Sequence, residues 1–190
     1  MEAQGRWPEQ GPSPVSGGIW GHVWALALAI VGGALGVVGA GVEELRAGGG
    51  LAIAFISAPL VEEALKPSGI YIGLVRWPWL MRSQLYTAVL TAFAGLTFGV
   101  IESLVYVYVY VSDPPDWFVT YRFTVNVGLH AGTSFLMGLG LNQGLVAWAR
   151  GQAALPKGSR NLYLAAVAVH SAYNAAVVVL GLAGVFDRTM

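Results

Sequence analysis

The amino-acid sequence predicts an all-α, polytopic membrane bundle of about five transmembrane helices, and three observations carry the prediction. Apolar residues make up 56% of the 190-residue chain and fall in long runs. Charged residues make up only 11%, less than half of the roughly 25% that coats a soluble domain. The chain also holds 7 Trp and 8 Tyr, the side chains that anchor helices at the two bilayer interfaces. Its 10 basic and 10 acidic residues cancel, so no overall charge calls for nucleic acid as a partner. The absence of cysteine excludes disulfides, thiolate catalysis and thiolate metal sites.

Residues 1–18 read as a flexible tail, because Gly5, Pro8, Gly11, Pro12, Pro14, Gly17 and Gly18 interrupt any period. Residues 19–190 read as a single transmembrane helical domain. A helix needs about 20 residues to cross the hydrocarbon core, and five stretches satisfy this: 20–42, 51–75, 84–111, 121–148 and 162–186. The separators carry turn and interface chemistry: Glu43-Glu44-Leu45-Arg46, Arg76-Trp77-Pro78-Trp79, Asp113-Pro114-Pro115-Asp116-Trp117, and Arg150 to Arg160 with Pro156. Alternation of Val with Tyr106, Tyr108 and Tyr110 looks locally like a strand. Lipid forbids an unpaired strand, so this segment is expected to be a helix end. Arg6, Arg76, Arg82, Arg150, Lys157 and Arg160 share one side of such a topology, against Arg46, Arg122 and Arg188 on the other. That bias places the N-terminus in the cytoplasm.

Small residues indicate how the helices pack. Gly32/Gly36, Gly95/Gly99, Gly128/Gly132 and Gly140/Gly144 all have the spacing that lets backbones approach closely.

The polar residues inside the spans carry the chemistry. The second span holds Glu62, Glu63 and Lys66; the third, Glu102; the fourth, His130 and Ser134; the fifth, His170 and Asn174. An ionised side chain near the bilayer centre costs about 2.5–3.5 kcal/mol on insertion scales. These groups must therefore face the bundle interior, pair with each other or bind an ion. Glu62 and Lys66, Phe98 and Glu102, His130 and Ser134, and His170 and Asn174 are each four residues apart, so each pair shares one helix face. Depth agrees: Glu62, Glu102 and His130 each lie roughly 15 Å from the outer ends of their spans at helical rise. The four layers are expected to meet around one cavity near mid-membrane.

These residues resemble the PrsW family of intramembrane proteases. The resemblance rests on Glu62-Glu63-Ala64-Leu65-Lys66, on Gly95 through Glu102, on Arg122 ahead of His130, and on His170-Ser171-Ala172-Tyr173-Asn174. It covers about 58–178 and extends to a superfamily with the type II CAAX prenyl endopeptidases and the Aph-type subunits of γ-secretase. Two departures stand out. Glu102 occupies the place where the prenyl-protease branch has His, and Ser103 follows where Asn is common.

What the resemblance implies is an endopeptidase in a prokaryotic plasma membrane. It would cleave a membrane protein or a membrane-anchored peptide. The superfamily is described both as metalloproteases and as glutamate proteases. In the metal version, Glu62, Glu102, His130 and His170, with Glu63 as a substitute for Glu62, would ligate Zn²⁺ or another divalent ion beside a water. In the glutamate version, Glu62 activates water while His170 and Asn174 stabilise the oxyanion, and no cofactor is needed. Glu63 is expected in a supporting position, because neighbours on a helix point about 100° apart and Glu62 shares its face with Lys66. Two other classes fit parts of the pattern: a scaffold subunit of a larger membrane complex, and an ion or proton relay. A relay needs a polar path to both faces, whereas the polar residues here cluster at one depth.

Overall fold

The computed structural model describes residues 18–47, 50 and 53–183. Most of the expected tail, the start of the second span at Leu51, and the chain end with Asp187 and Arg188 lie outside them. Every element among the described residues is helical. Eight α-helices occur: α1 (Ile19–Ala47), α2 (Ala58–Leu65), α3 (Ser68–Arg76), α4 (Gln84–Val105), α5 (Asp116–Tyr121), α6 (Val127–Gly140), α7 (Gln143–Ala149) and α8 (Lys157–Leu182). Short π-helical turns precede α2 (Ile53–Ser57), follow α4 (Tyr106–Tyr110) and join α5 to α6 (Arg122–Asn126). The Val–Tyr alternation is thus helical, as the bilayer argument requires.

Among the described residues, three helices are long and apolar enough to cross a membrane: Ile19–Glu43, Gln84–Tyr110 and Lys157–Leu182. The other two expected spans are segmented. The second bends at Lys66-Pro67, where α2 ends and α3 begins; proline has no N–H to continue the ladder. The fourth ends at Gly140 rather than Trp148, because Leu141 and Asn142 are extended and Asn142 caps α7 by accepting from Leu145 N at 3.2 Å. Gln84 Nε2 lies 2.8 Å from Leu139 O and 3.0 Å from Gly138 O, so α4 supplies a donor group to the C-terminal end of α6. That satisfies carbonyls which a helix end otherwise leaves unpaired.

The bundle is built on α4, which packs against α1 on one side and α6 on the other, with α8 against α6 and α2. A wholly apolar core of Ala25, Ala29, Ile70, Leu74, Leu90 and Leu141 fills the end nearest α3 and α7. The polar residues form the next layer, and beyond them a cavity opens toward the C-terminal ends of α1, α4 and α8.

Glycine contacts decide where helices touch. A Cβ at Gly95 would collide with the His130 carbonyl and Ser134 Oγ, and one at Gly32 would come within 2.6 Å of Gly69 N. Gly36 and Gly99 are similarly close to α2 and α6. The Gly128/Gly132 pair does not behave as its spacing suggests: a Cβ at either would meet nothing within 4 Å. That face of α6 points away from its neighbours. Gly140 and Gly144 fall on different helices, so they form no common stripe.

The expected outcome is asymmetric. Gly95→Val forces backbone displacement at the α4–α6 contact and should cost about 1–3 kcal/mol or more of stability. Gly132→Ala should leave the melting temperature in detergent unchanged or slightly raised. Thermal unfolding of the two variants checks this.

Candidate active site

The site grows from the short helix α2. Glu63 and Lys66 are one turn apart, and both are fully buried. Lys66 Nζ donates to Glu63 Oε1 at 2.7 Å and to His130 Nδ1 at 2.7 Å, and lies 3.6 Å from Glu62 Oε2. Its fourth neighbour is the face of Phe98, 4.5 Å from Nζ to the ring centroid, a favourable place for a cation. The lysine therefore pairs more closely with Glu63 than with Glu62, contrary to the expectation from helical spacing. The i,i+3 step wins because it lets Nζ reach His130 of α6 as well.

Glu63 Oε1 collects two further donors, Thr133 Oγ1 at 2.9 Å and His170 Nδ1 at 2.8 Å. This carboxylate ties α2 to α6 and α8 at once. Because Nδ1 of His170 donates to Glu63, Nε2 of a neutral ring carries the lone pair. It faces Glu62 Oε2 at 3.8 Å. Glu62 Oε2 is itself buried and has no hydrogen-bond partner, and Glu62 lines the cavity. A buried carboxylate oxygen without a partner is costly; Glu63 Oε2 shares that condition, but of the two residues only Glu62 lines the cavity.

The same reasoning assigns the tautomer of His130. Accepting from Lys66 at Nδ1 leaves Nε2–H to donate to Glu102 Oε2 at 3.0 Å. Glu102 Oε2 also accepts from Arg122 at 2.8 Å and Asn126 at 2.9 Å. The π-helical turn Arg122–Asn126 brings those two side chains onto one carboxylate. Ser103 Oγ, the departure noted in the third span, donates to the Arg122 carbonyl at 2.9 Å and holds that turn in place. Arg122 is thus a charge partner of the site; its guanidinium also stacks over Tyr106 at 4.0 Å. Tyr121 and Tyr173 stack with their hydroxyls hydrogen-bonded to each other.

The structure brings Glu62, Glu63, Lys66, His130 and His170 into one cluster, with Glu102 joined through His130. Asn174 lies one turn beyond His170 and lines the cavity of about 580 Å³. Ser134 packs against Gly95 instead, its Oγ buried without a hydrogen-bond partner. His22 is remote and bonds to Tyr86 OH at 2.8 Å. Sequence reasoning missed Thr133 and Asn126, whose only signal was position: each sits within four residues of His130.

A segmented helical bundle with a buried carboxylate–histidine centre is a polytopic membrane protein built around a chemical site. The family model for PrsW family intramembrane metalloprotease matches residues 15–187, nearly the whole chain, and the chain belongs to that family. Comparison with curated proteins and with solved structures finds no match. Membership makes the chain an integral membrane protein of a protease family.

The family description implies a metal, and the residues fit one. Glu62, His130 and His170 each offer a ligand atom, and these atoms lie within 4.8 Å of one another. Glu62 Oε2 has no competing hydrogen bond, and the Glu63–His170 contact is the carboxylate–histidine arrangement that orients a ligating imidazole. His130 fits by exchanging one of its two present partners. Glu102 is not in that group; its Oε2 accepts from Arg122, Asn126 and His130.

Lys66→Met leaves Glu63 and His130 without their shared donor in a fully buried layer. Breaking one partner of a buried pair costs about 3–5 kcal/mol, so the variant should unfold at a clearly lower temperature. Thr133→Val removes a single donor from Glu63 and should cost about 1 kcal/mol. Differential scanning fluorimetry in one detergent ranks the two.

Proposed function

We propose that the protein is an endopeptidase that hydrolyses a membrane-associated polypeptide, with water activated at Glu62. The observation that carries this reading is Glu62, a cavity-lining residue whose buried Oε2 lacks a hydrogen-bond partner and lies 3.8 Å from His170 Nε2. A water held between these two acceptors donates one hydrogen to each. Glu62 then takes a proton as the water oxygen attacks the scissile carbonyl carbon. Collapse of the tetrahedral intermediate breaks the C–N bond, and the proton held by Glu62 passes to the leaving amine.

The tautomer assigned to His170 places it on the water, so Asn174, a turn further along α8, is the oxyanion donor. Glu63 orients His170 and does not meet substrate. This keeps the division between the two glutamates, for a different reason: Glu63 Oε1 is held by three donors and the residue is fully buried, whereas Glu62 lines the cavity. If Glu62, His130 and His170 hold a divalent cation, it would act as a Lewis acid and acidify bound water. Glu102, fixed by Arg122 and Asn126, positions His130. The tail, the single domain, the cytoplasmic N-terminus and a prokaryotic plasma membrane belong to the same proposal.

Glu62→Gln keeps shape but removes the base, so turnover of a membrane-reconstituted peptide should vanish at an unchanged melting temperature. His170→Ala should also abolish turnover, but with a lowered melting temperature, because Glu63 loses a buried donor. Asn174→Ala should lower kcat by about 10²–10³-fold, the effect of losing one oxyanion donor. Full activity in both glutamate variants, Glu62→Gln and Glu63→Gln, would exclude proteolysis at this cluster. Activity lost to a chelator and restored by Zn²⁺ selects the metal version; indifference to chelator selects the glutamate version.

A further inference from the structure

The cavity above Glu62 does not end at the helix bundle. Gly41 and Tyr110 line it, and the same two residues line a second hollow of about 650 Å³, completed by Val38, Val42 and Leu45. This hollow lies on the outward face of α1, where Val38 is 63% and Leu45 86% exposed. Gly41 leaves the passage open, since a Cβ there would meet nothing within 4 Å. On the far side α4 gives way to its π-helical turn, and Tyr110 is the last residue of that turn.

The geometry points to a lateral gate: an apolar helical segment of a membrane-inserted polypeptide docks between the end of α1 and the π-helical turn after α4, and enters over Gly41 and Tyr110. This rests on the proteolytic reading and specifies the route of the substrate. The chemistry of the two spaces decides the occupant. Among the described residues, only Tyr110 brings a polar side-chain atom to the outer hollow. A chain seated there must satisfy its own backbone, which in lipid means a helix. The inner cavity is instead lined by polar side chains, among them Glu43, Arg122, Asn126 and Asn174, surroundings that tolerate an unwound backbone where lipid does not. Cleavage requires such unwinding, because a helical carbonyl is already hydrogen-bonded.

The gate also touches the site mechanically. The Tyr110 ring packs edge-on against Tyr106 at 5.2 Å, Tyr106 lies under the Arg122 guanidinium at 4.0 Å, and Arg122 holds Glu102. A segment that displaces Tyr110 thus presses on the residues that position His130.

The test uses the full chain in phosphatidylcholine vesicles with a lysine-flanked Leu/Ala/Val transmembrane peptide that carries a diazirine. In the Glu62→Gln background, photo-adducts are expected on the groove formed by Val38, Val42, Leu45 and Tyr110. Val42→Trp fills that groove and should reduce adduct yield about tenfold, a 1.4 kcal/mol loss of docking, without lowering the melting temperature. In the active chain, the same substitution should lower the ratio of turnover on this peptide to turnover on a short water-soluble peptide by about tenfold. Adducts confined to other helices, undiminished yield in Val42→Trp, or an unchanged turnover ratio would overturn the gate. Adducts at the groove from a parent chain that cleaves neither peptide would support the gate while removing the proteolytic reading.

Discussion

The arrangement of the bundle follows from one constraint, the complete burial of the Lys66 ammonium. A cation at mid-membrane is tolerated only where it finds acceptors and counter-charge: Lys66 donates to Glu63 on its own segment and to His130 on α6, with the Glu62 carboxylate as a further charge at 3.6 Å. The Phe98 ring from α4 closes the remaining side. For three helices to reach one ammonium, their backbones must come unusually close. That is why Gly36 abuts the Lys66 backbone, and why Gly95 and Gly99 let α6 lie directly on α4. The small residues are thus a consequence of the charge, and the apolar core at the α3 end is packed around a geometry the polar layer has set.

Broken helices serve the same end. An unbroken second span would carry its backbone straight past the cluster; the bend after Lys66 leaves α2 as a short helix whose last turn presents Glu62, Glu63 and Lys66 together. The widened turn Arg122–Asn126 does the equivalent for Glu102, bringing two donors from one segment onto a single oxygen. Such π-helical turns cost helix regularity and recur at functional sites. Here their yield is a carboxylate fixed by Arg122, Asn126 and His130, which leaves His130 itself with a defined tautomer.

The helical class, the burial of the polar layer and its convergence were legible in the sequence because each follows from the dielectric of the bilayer, which leaves few alternatives. Period and depth put Glu62, Glu102, His130 and His170 in one layer; Glu62, Glu102 and His170 line the cavity, while His130 sits behind them between Lys66 and Glu102. Pairing inside the cluster was not legible. Helical spacing cannot choose between i,i+3 and i,i+4 partners, and the choice of Glu63 for Lys66 was made by Thr133, His130 and His170 from other helices. Asn142 as a helix cap, ending the fourth span early, was hidden within an apolar run. The Gly128/Gly132 spacing was read as a contact because spacing records which residues share a face, not which face has a neighbour.

The difference between Glu62 and Glu63 is then a matter of where the donors go. Two adjacent carboxylates in one apolar layer cannot both remain without partners, and the protein resolves this by concentrating Lys66, Thr133 and His170 on Glu63 Oε1. Each donor given to Glu63 is one withheld from Glu62, whose nearest cation stays at 3.6 Å. The chemistry proposed for Glu62 therefore depends on the saturation of its neighbour. A structural carboxylate that holds three helices together leaves the second one, at the cavity, without a hydrogen-bond donor on Oε2, and it is on that difference that the proposed proton transfer from water depends.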